Sequence, residues 1–108
     1  MKPSVLLAKA KKVIETKGWC QGEYHKEGDG YCLYGALFKA GKVEPDSEYG
    51  EKLAESVVPF LEHAVPEARS DVLYKAKMVS WNDTEGRTKK QVLAAFDKAI
   101  VLAKEAGE

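Results

Sequence analysis

Apolar side chains recur every three or four residues over most of the chain, which is the spacing of amphipathic helices. The first such stretch has its apolar positions at Val5, Leu6, Ala10, Val13 and Ile14. Ser4 is predicted to cap this helix and Gly18 to end it. Near the other terminus, Thr88 and Gln91 form a T-x-x-Q capping box that predicts the start of the last helix. The apolar positions behind this box are Val92, Phe96, Ile100 and Ala103.

Two further helices are predicted in the middle of the chain. Asp46 is predicted to begin one of them, Pro59 to kink or split it, and Pro66 to end it. Its apolar positions are Tyr49, Leu53, Val57, Phe60 and Leu61. The other helix is predicted from about Glu67 to Val79, on the apolar positions Val72, Leu73, Ala76 and Val79.

Two spans lack a helical period. Residues 19–31, WCQGEYHKEGDGY, contain three glycines among aromatic residues, which predicts a short hairpin or an ordered loop. Residues 80–87, SWNDTEGR, are predicted to be an irregular connection before the last helix. The predicted fold is therefore mainly α: one domain over residues 1–108, a compact bundle of four to five helices with its hairpin or ordered loop at 19–31.

Composition and charge narrow the classes of function. The chain has 108 residues, of which 44% are hydrophobic and 31% charged, as in an ordinary globular domain. Its net charge of zero argues against a generally polyanionic partner. The charge is uneven, with five lysines and one glutamate in residues 1–18 but eight acids and two bases in residues 44–71. This separation indicates a polar partner surface.

No stretch reaches the roughly 20 apolar residues of a membrane span, and the apolar run in MKPSVLLAKAKK is too short for a signal peptide. We therefore expect a cytoplasmic protein without a membrane partner. In that compartment its two cysteines are expected to stay reduced.

Cys32 lies in the stretch GDGYCLYGAL, at the predicted start of a short helix that runs to Lys39. In the first turn of a helix, free N–H groups stabilise a thiolate, so Cys32 is a candidate nucleophile. The base would be His63 or His25, oriented by Asn82 or Asp83. The favoured interpretation is a buried core cysteine, because Leu33, Ala36 and Leu37 share its apolar face.

A zinc site would combine Cys20, His25, Cys32 and His63, whose sulfur and nitrogen atoms suit tetrahedral zinc. Their spacing lacks the paired C-x2-C of zinc motifs. Ordinary surface positions account for both histidines. No metal site and no cofactor are therefore expected.

The W-N-D sequence at 81–83 has two interpretations. Asn and Asp are ordinary turn residues that bind nearby backbone, so Asn82 and Asp83 would tie this loop to segment 19–22, and Arg87 would pair with Asp83. In that case Trp81→Ala should destabilise more than Asn82→Ala, which removes one turn hydrogen bond. Alternatively, the loop lines a polar cleft for a small ligand or a peptide. The candidate binding residues are Trp19, Gln21, Tyr24, Trp81, Asn82, Asp83 and Arg87.

Nucleic-acid binding is disfavoured, because the candidate basic residues lie among acids. These candidates are Lys75, Lys77, Arg87, Lys89 and Lys90.

Three motifs follow one another along nearly the whole chain: W-C-Q-G at 19–22, C-L-x-G-A-L at 32–37 and W-N-D-x-x-G-R-T at 81–88. In this order, and with a final amphipathic helix, the chain resembles a family of small phage and bacterial proteins classed as a domain of unknown function. The resemblance implies an α-helical domain, often encoded by a phage or prophage. It implies no established activity.

Three functional hypotheses follow. The first is a phage-type accessory protein that binds a host or phage protein, acts on a host component and has no catalysis of its own. The second is a hydrolase or transferase that uses Cys32 and His63. The third is a nucleic-acid-associated regulator.

Overall fold

The structure is a computed structural model that describes residues 1–65 and 74–108, with the side chains of 74–77 left out. Its helices are α1 (Pro3–Lys17), α2 (Leu33–Gly41), α3 (Glu48–Ala64), α4 (Tyr74–Asn82) and α5 (Lys89–Glu105). Two short strands, β1 (His25–Lys26) and β2 (Gly30–Tyr31), lie between α1 and α2. The predicted mainly α bundle with a short hairpin within 19–31 is confirmed. None of the described helices is both long and apolar enough to cross a bilayer.

Helices α1 and α5 lie antiparallel at the centre of the bundle. The Ser4 amide donates to the Glu108 carbonyl over 3.1 Å, and Lys11 pairs with Asp97 at 2.6 Å. Helix α2 packs on α1, and α3 packs on α5. The largest fully buried apolar side chains include Leu7, Ile14, Leu33, Leu37, Leu61, Val92 and Phe96. The described helices thus share one hydrophobic core.

The hairpin is joined to the end of α1 by a parallel β bridge. Strands β1 and β2 pair antiparallel, with His25 opposite Tyr31. Tyr31 also pairs with Trp19: its N–H donates to the Gly18 carbonyl and its carbonyl accepts from the Cys20 N–H, each over 3.1 Å. Gly30 has a φ of 137°, and a side chain there would overlap the Gly18 backbone. Glycine at position 30 therefore allows the two segments to pair.

The hairpin also rests directly on α2. The Cys32 N–H donates to the Tyr24 carbonyl over 3.0 Å. A Cβ at Gly35 would overlap that same carbonyl, so only glycine fits at this position of the first turn of α2. The hairpin and the start of α2 consequently form one unit.

Two predicted caps are wrong. Helix α1 begins at Pro3, where proline suits the first helical position, and Ser4 lies inside the helix with its hydroxyl donating to the Glu108 carbonyl over 3.0 Å. Helix α3 is capped by Ser47, whose Oγ accepts from the Gly50 N–H over 2.9 Å, so Asp46 lies outside it. Val5 and Tyr49, predicted to be on the apolar faces, are 43% and 75% exposed.

Pro59 does not split α3, which is continuous from Glu48 to Ala64. The proline lies on the exposed face, where water can bind the carbonyl that its missing N–H leaves without a helical partner. The predicted stop at Pro66, the predicted start at Glu67 and the apolar positions Val72, Leu73 and Ala76 lie outside the described backbone or side chains.

Helix α4 extends to Asn82, past its predicted end at Val79. Met78, Trp81 and Asn82 share one buried face of this helix, so core packing extends it into the span that was predicted to be irregular. The predicted capping box of α5 is confirmed: Thr88 Oγ1 accepts from the Gln91 N–H over 3.2 Å, and Gln91 Oε1 accepts from the Thr88 N–H over 3.0 Å.

Helix α2 ends in a Schellman motif with lysine at the left-handed position. Lys42 has a φ of 57°, and the Val43 N–H donates to the Phe38 carbonyl over 3.1 Å. An L-residue in this conformation costs roughly 1–2 kcal/mol. Lys42→Gly should therefore raise the free energy of unfolding by about 0.5–1 kcal/mol, after subtraction of the extra freedom of glycine in the unfolded chain.

Urea denaturation monitored by circular dichroism measures this change. The matched control is Lys39→Gly, the same substitution on the exposed face of α2, which should destabilise by about 1 kcal/mol. Equal destabilisation by both substitutions would contradict the role assigned to Lys42.

Candidate functional site

All three motifs meet at one end of the bundle, formed by residues 18–33 and 81–88, which we call the loop end. Helices α1 and α4 finish here, while α2 and α5 begin here. Four helix termini therefore bring unpaired backbone groups to the same place, and those groups need hydrogen-bond partners.

Asn82 occupies the centre of the loop end, with 0% of its surface exposed. Its Oδ1 accepts from Trp19 Nε1 over 2.7 Å and from the Leu33 N–H over 3.0 Å. Its Nδ2 donates to the Cys20 carbonyl over 3.2 Å and to Asp83 Oδ1 over 2.9 Å. The amide thus uses its full capacity of two acceptor and two donor bonds.

The Asn82 amide also continues the parallel β bridge. After the bonds of the Trp19–Tyr31 bridge, a regular parallel ladder would next join the Leu33 N–H to the Cys20 carbonyl. The Asn82 side chain lies between these two groups, accepting from one and donating to the other. It therefore replaces a peptide group where the two segments separate.

Gln21 and Asp83 form an outer layer around Asn82. Gln21 Nε2 donates to the carbonyls of Asn82 and Thr84, each over 3.0 Å. The Gly22 N–H donates to Asp83 Oδ1 over 3.0 Å. These bonds satisfy the end of α4 and hold segments 19–22 and 82–84 together, as the turn interpretation expects.

Arg87 lies against Trp81, and the predicted pair with Asp83 is wrong. The guanidinium carbon is 4.1 Å from the centre of the Trp81 ring, and Arg87 Nε donates to the Trp81 carbonyl over 2.9 Å. The aromatic face and the carbonyl together offer Arg87 two contacts from one residue. Asp83 Oδ1 is meanwhile engaged by Gly22 and Asn82.

Cys32 is the N-cap of α2, one position before the predicted first turn. Its Sγ accepts from the Gly35 N–H over 3.3 Å, and the residue is 4% exposed. Burial raises the pKa of this thiol from 9.0 to about 11, and this outweighs the lowering by the backbone N–H groups of Gly35 and Tyr34. The expectation of a buried cysteine is confirmed, and the sulfur is a neutral thiol at neutral pH.

Cys20 and the two histidines do not complete a reactive set around Cys32. Cys20 is free and buried, its Sγ lies 3.4 Å from the Glu23 carbonyl, and burial raises its pKa. His25 is exposed and stacks on Tyr31, with ring centres 4.2 Å apart. His63 is exposed in the last turn of α3. Within the described residues, no three His, Cys, Asp or Glu side chains converge as metal ligands would.

The predicted binding residues are divided among three depressions. The first, of about 170 Å³, is lined by Gly22, Glu23, Tyr24, Cys32, Val79 and Asp83, and we call it the Tyr24 cleft. The second, of about 310 Å³, includes Trp19, Gln21 and Lys26. The third, of about 230 Å³, includes Trp81 and Arg87. Asn82, fully buried, belongs to the scaffold between them.

Sequence reasoning missed Gly22, Glu23 and Val79 as lining residues of the Tyr24 cleft. The signal for Val79 was available, because it precedes Asp83 by four residues, which is one helical turn. No local pattern indicates Glu23, whose position depends on the hairpin. Of the candidate basic residues, the side chains of Lys75 and Lys77 lie outside the described set.

Comparison with known proteins identifies one family. The model of a family of unknown function (DUF6197) matches residues 1–102, a span that includes all three motifs and the whole loop end. This match confirms the resemblance to an uncharacterised family. No curated protein and no solved structure matches the chain.

The central position of Asn82 predicts a large effect of its removal. Asn82→Ala leaves the Leu33 N–H and the Cys20 carbonyl buried without their partner, at about 1–3 kcal/mol for each group. Together with the lost bond to Trp19, the cost should approach the roughly 3–5 kcal/mol expected of Trp81→Ala. Urea unfolding followed by tryptophan fluorescence measures it.

Gln21→Ala is the matched control, because it removes two hydrogen bonds from the outer layer of the same network. It should cost less than half as much as Asn82→Ala. If the two variants lose equal stability, the buried amide does not have the central role assigned to it.

The raised pKa of Cys32 predicts slow thiol chemistry. At pH 8, a thiol of pKa about 11 has about a hundredfold less thiolate than one of pKa 9.0. In a Cys20→Ser variant, native Cys32 should therefore react with iodoacetamide at least about a hundredfold more slowly than in the urea-unfolded chain. Mass spectrometry over time gives both rates, and labelling of the native form as fast as of the unfolded form would contradict the prediction.

Proposed function

We propose that this chain, which belongs to the family of unknown function DUF6197, is a binding module whose loop end contacts a partner protein, with no catalysis of its own. The observation that carries the proposal is the use of the motif side chains. Asn82, Gln21 and the Cys32 sulfur all bind groups of the same chain. These residues build a fixed surface and are not arranged around a reacting atom.

A fixed loop end is well suited to recognition. Gly22, Glu23, Asp83, Thr84 and Glu85 are exposed, yet the backbones of their two segments are joined through Asn82, Gln21 and Asp83. Little conformational freedom is then left to lose when a partner binds. Three of these exposed residues, Gly22, Glu23 and Asp83, also line the Tyr24 cleft, which supplies a concave feature for a protruding side chain.

The resemblance to small phage and bacterial proteins supports an accessory protein that acts on a host component in the host cytoplasm. The uneven charge of the chain supports a polar partner surface.

A Cys32-dependent hydrolase or transferase is the second candidate, because Cys32 is among the residues that line the Tyr24 cleft. That activity would need a thiolate and a base within hydrogen-bond reach. Burial raises the pKa of the Cys32 thiol to about 11 despite the bond from the Gly35 N–H, which favours the neutral thiol, and His63 is on the exposed face of α3. These observations rank the binding module first.

Site-specific photocrosslinking tests the proposed surface. A photoreactive phenylalanine analogue at Glu85, on the loop end, should give one discrete crosslinked species in cells that naturally encode the chain. The same analogue at Val101, which is 54% exposed, should not, because Val101 lies about 20 Å further along α5 than Thr88. Equal crosslinking at both positions, or none at Glu85, would contradict the proposal.

A further inference from the structure

We infer that the Tyr24 cleft binds one positively charged side chain, a lysine or an arginine, that the partner inserts at the loop end. This inference rests on the proposed function and specifies the chemistry of the partner. It follows from the shape of the cleft, the charges on its rim and the groups on its floor.

The size of the Tyr24 cleft fits a single long side chain. Its volume of about 170 Å³ equals that of about five to six water molecules in the liquid. A lysine side chain has five heavy atoms beyond Cα and an arginine side chain seven. A nucleotide or a folded segment would not enter.

The floor of the cleft is apolar and fixed in place. Cys32, which is 4% exposed, and the half-buried Val79 line it. Tyr24 also lines the cleft, and its ring packs edge-on against Phe38, with ring centres 5.6 Å apart. These groups can cover the methylene stem of a long cationic side chain, while an aromatic face attracts the charge itself.

The charged residues among the described lining of the cleft are both acidic. Asp83 and Glu23 both line it, and no lysine or arginine is among its described lining residues. The bonds from Gly22 and Asn82 both end on Asp83 Oδ1, so they fix the orientation of the carboxylate and leave Oδ2 for an incoming donor. Arg87, the cation closest to Asp83 in sequence, is held against Trp81.

The pairing of two carboxylates with an apolar floor selects a cation with an apolar stem. An anionic side chain would be repelled by Asp83 and Glu23, and a short cation would not reach the floor. Charge-assisted hydrogen bonds to a carboxylate are among the stronger polar contacts, so Asp83 is the expected anchor. Glu23, which is exposed, adds a weaker and more salt-sensitive attraction.

Titration with small probes, followed by protein NMR, tests the inference without any partner. The cationic probes are the blocked amino acids N-acetyl-lysine methylamide and N-acetyl-arginine methylamide. Their neutral counterparts of similar shape are the corresponding norleucine and citrulline derivatives. The cationic probes should shift the amide signals of Gly22, Tyr24 and Val79 in a saturable way, and the neutral probes should not.

Two charge variants and one control complete the test. Asp83→Asn should weaken binding of the lysine probe by about fivefold and Glu23→Gln by about twofold, and added salt should weaken it further. Asp83→Asn keeps an acceptor oxygen for Gly22 and Asn82, so the fold is expected to remain. Glu27→Gln makes the same charge change on the exposed hairpin turn and should leave binding unchanged.

Three outcomes would overturn the inference: no localised shifts with either cationic probe, equal shifts with the neutral probes, or equal weakening by Glu27→Gln. Because the probes replace the partner, this result is independent of the photocrosslinking. Probe binding without a crosslinked partner would leave the cleft chemistry standing and overturn the proposed function. A crosslinked partner without probe binding would overturn the inference about the cleft and leave the proposed function standing.

Discussion

The insertion of one side-chain amide into a β ladder is the constraint on which the loop end depends. The segment after α1 pairs with the segment before α2 through Trp19 and Tyr31, but α2 begins at Leu33 and its backbone turns away from Cys20. Without a substitute, a buried N–H and a buried carbonyl would lose their partners together. Asn82 supplies both bonds from a third element, α4, and thereby joins three helices at one point.

Other features of the loop end follow from that junction. Because α4 extends to Asn82, the carbonyls of its last two residues need new partners, which Arg87 provides for Trp81 and Gln21 for Asn82. The hairpin must also lie tightly against both α1 and α2, which explains why the backbone approaches so closely at Gly30 and Gly35. A low local dielectric strengthens such a satisfied network and makes each missing bond costly.

Sequence patterns predicted the features whose causes are local. The helices follow from apolar periodicity, and the Thr88–Gln91 capping box forms because both partners lie within one turn. Ser4 was assigned wrongly because its actual partner, Glu108, is 104 residues away in the sequence. Asn82 was recognised as a turn residue with one expected bond, while three of its four partners come from segments about 50 to 60 residues earlier. The division of the predicted cleft into three depressions also depends on contacts between residues far apart in the sequence, because those contacts bury Asn82 between the segments.

The structural and the binding interpretations of the motifs apply to different atoms of the same segments. The side chains of Asn82, Gln21 and Cys32 form hydrogen bonds within the chain, and these bonds set the positions of the neighbouring residues. Glu23, Tyr24 and Asp83 lie on the outer side of those positions and line the cleft. Asp83 connects the two sets, because the bond from Asn82 that completes the scaffold also fixes the carboxylate that faces solvent. A rigid inner network therefore gives the outer carboxylates a defined geometry, which is what recognition of one cationic side chain requires.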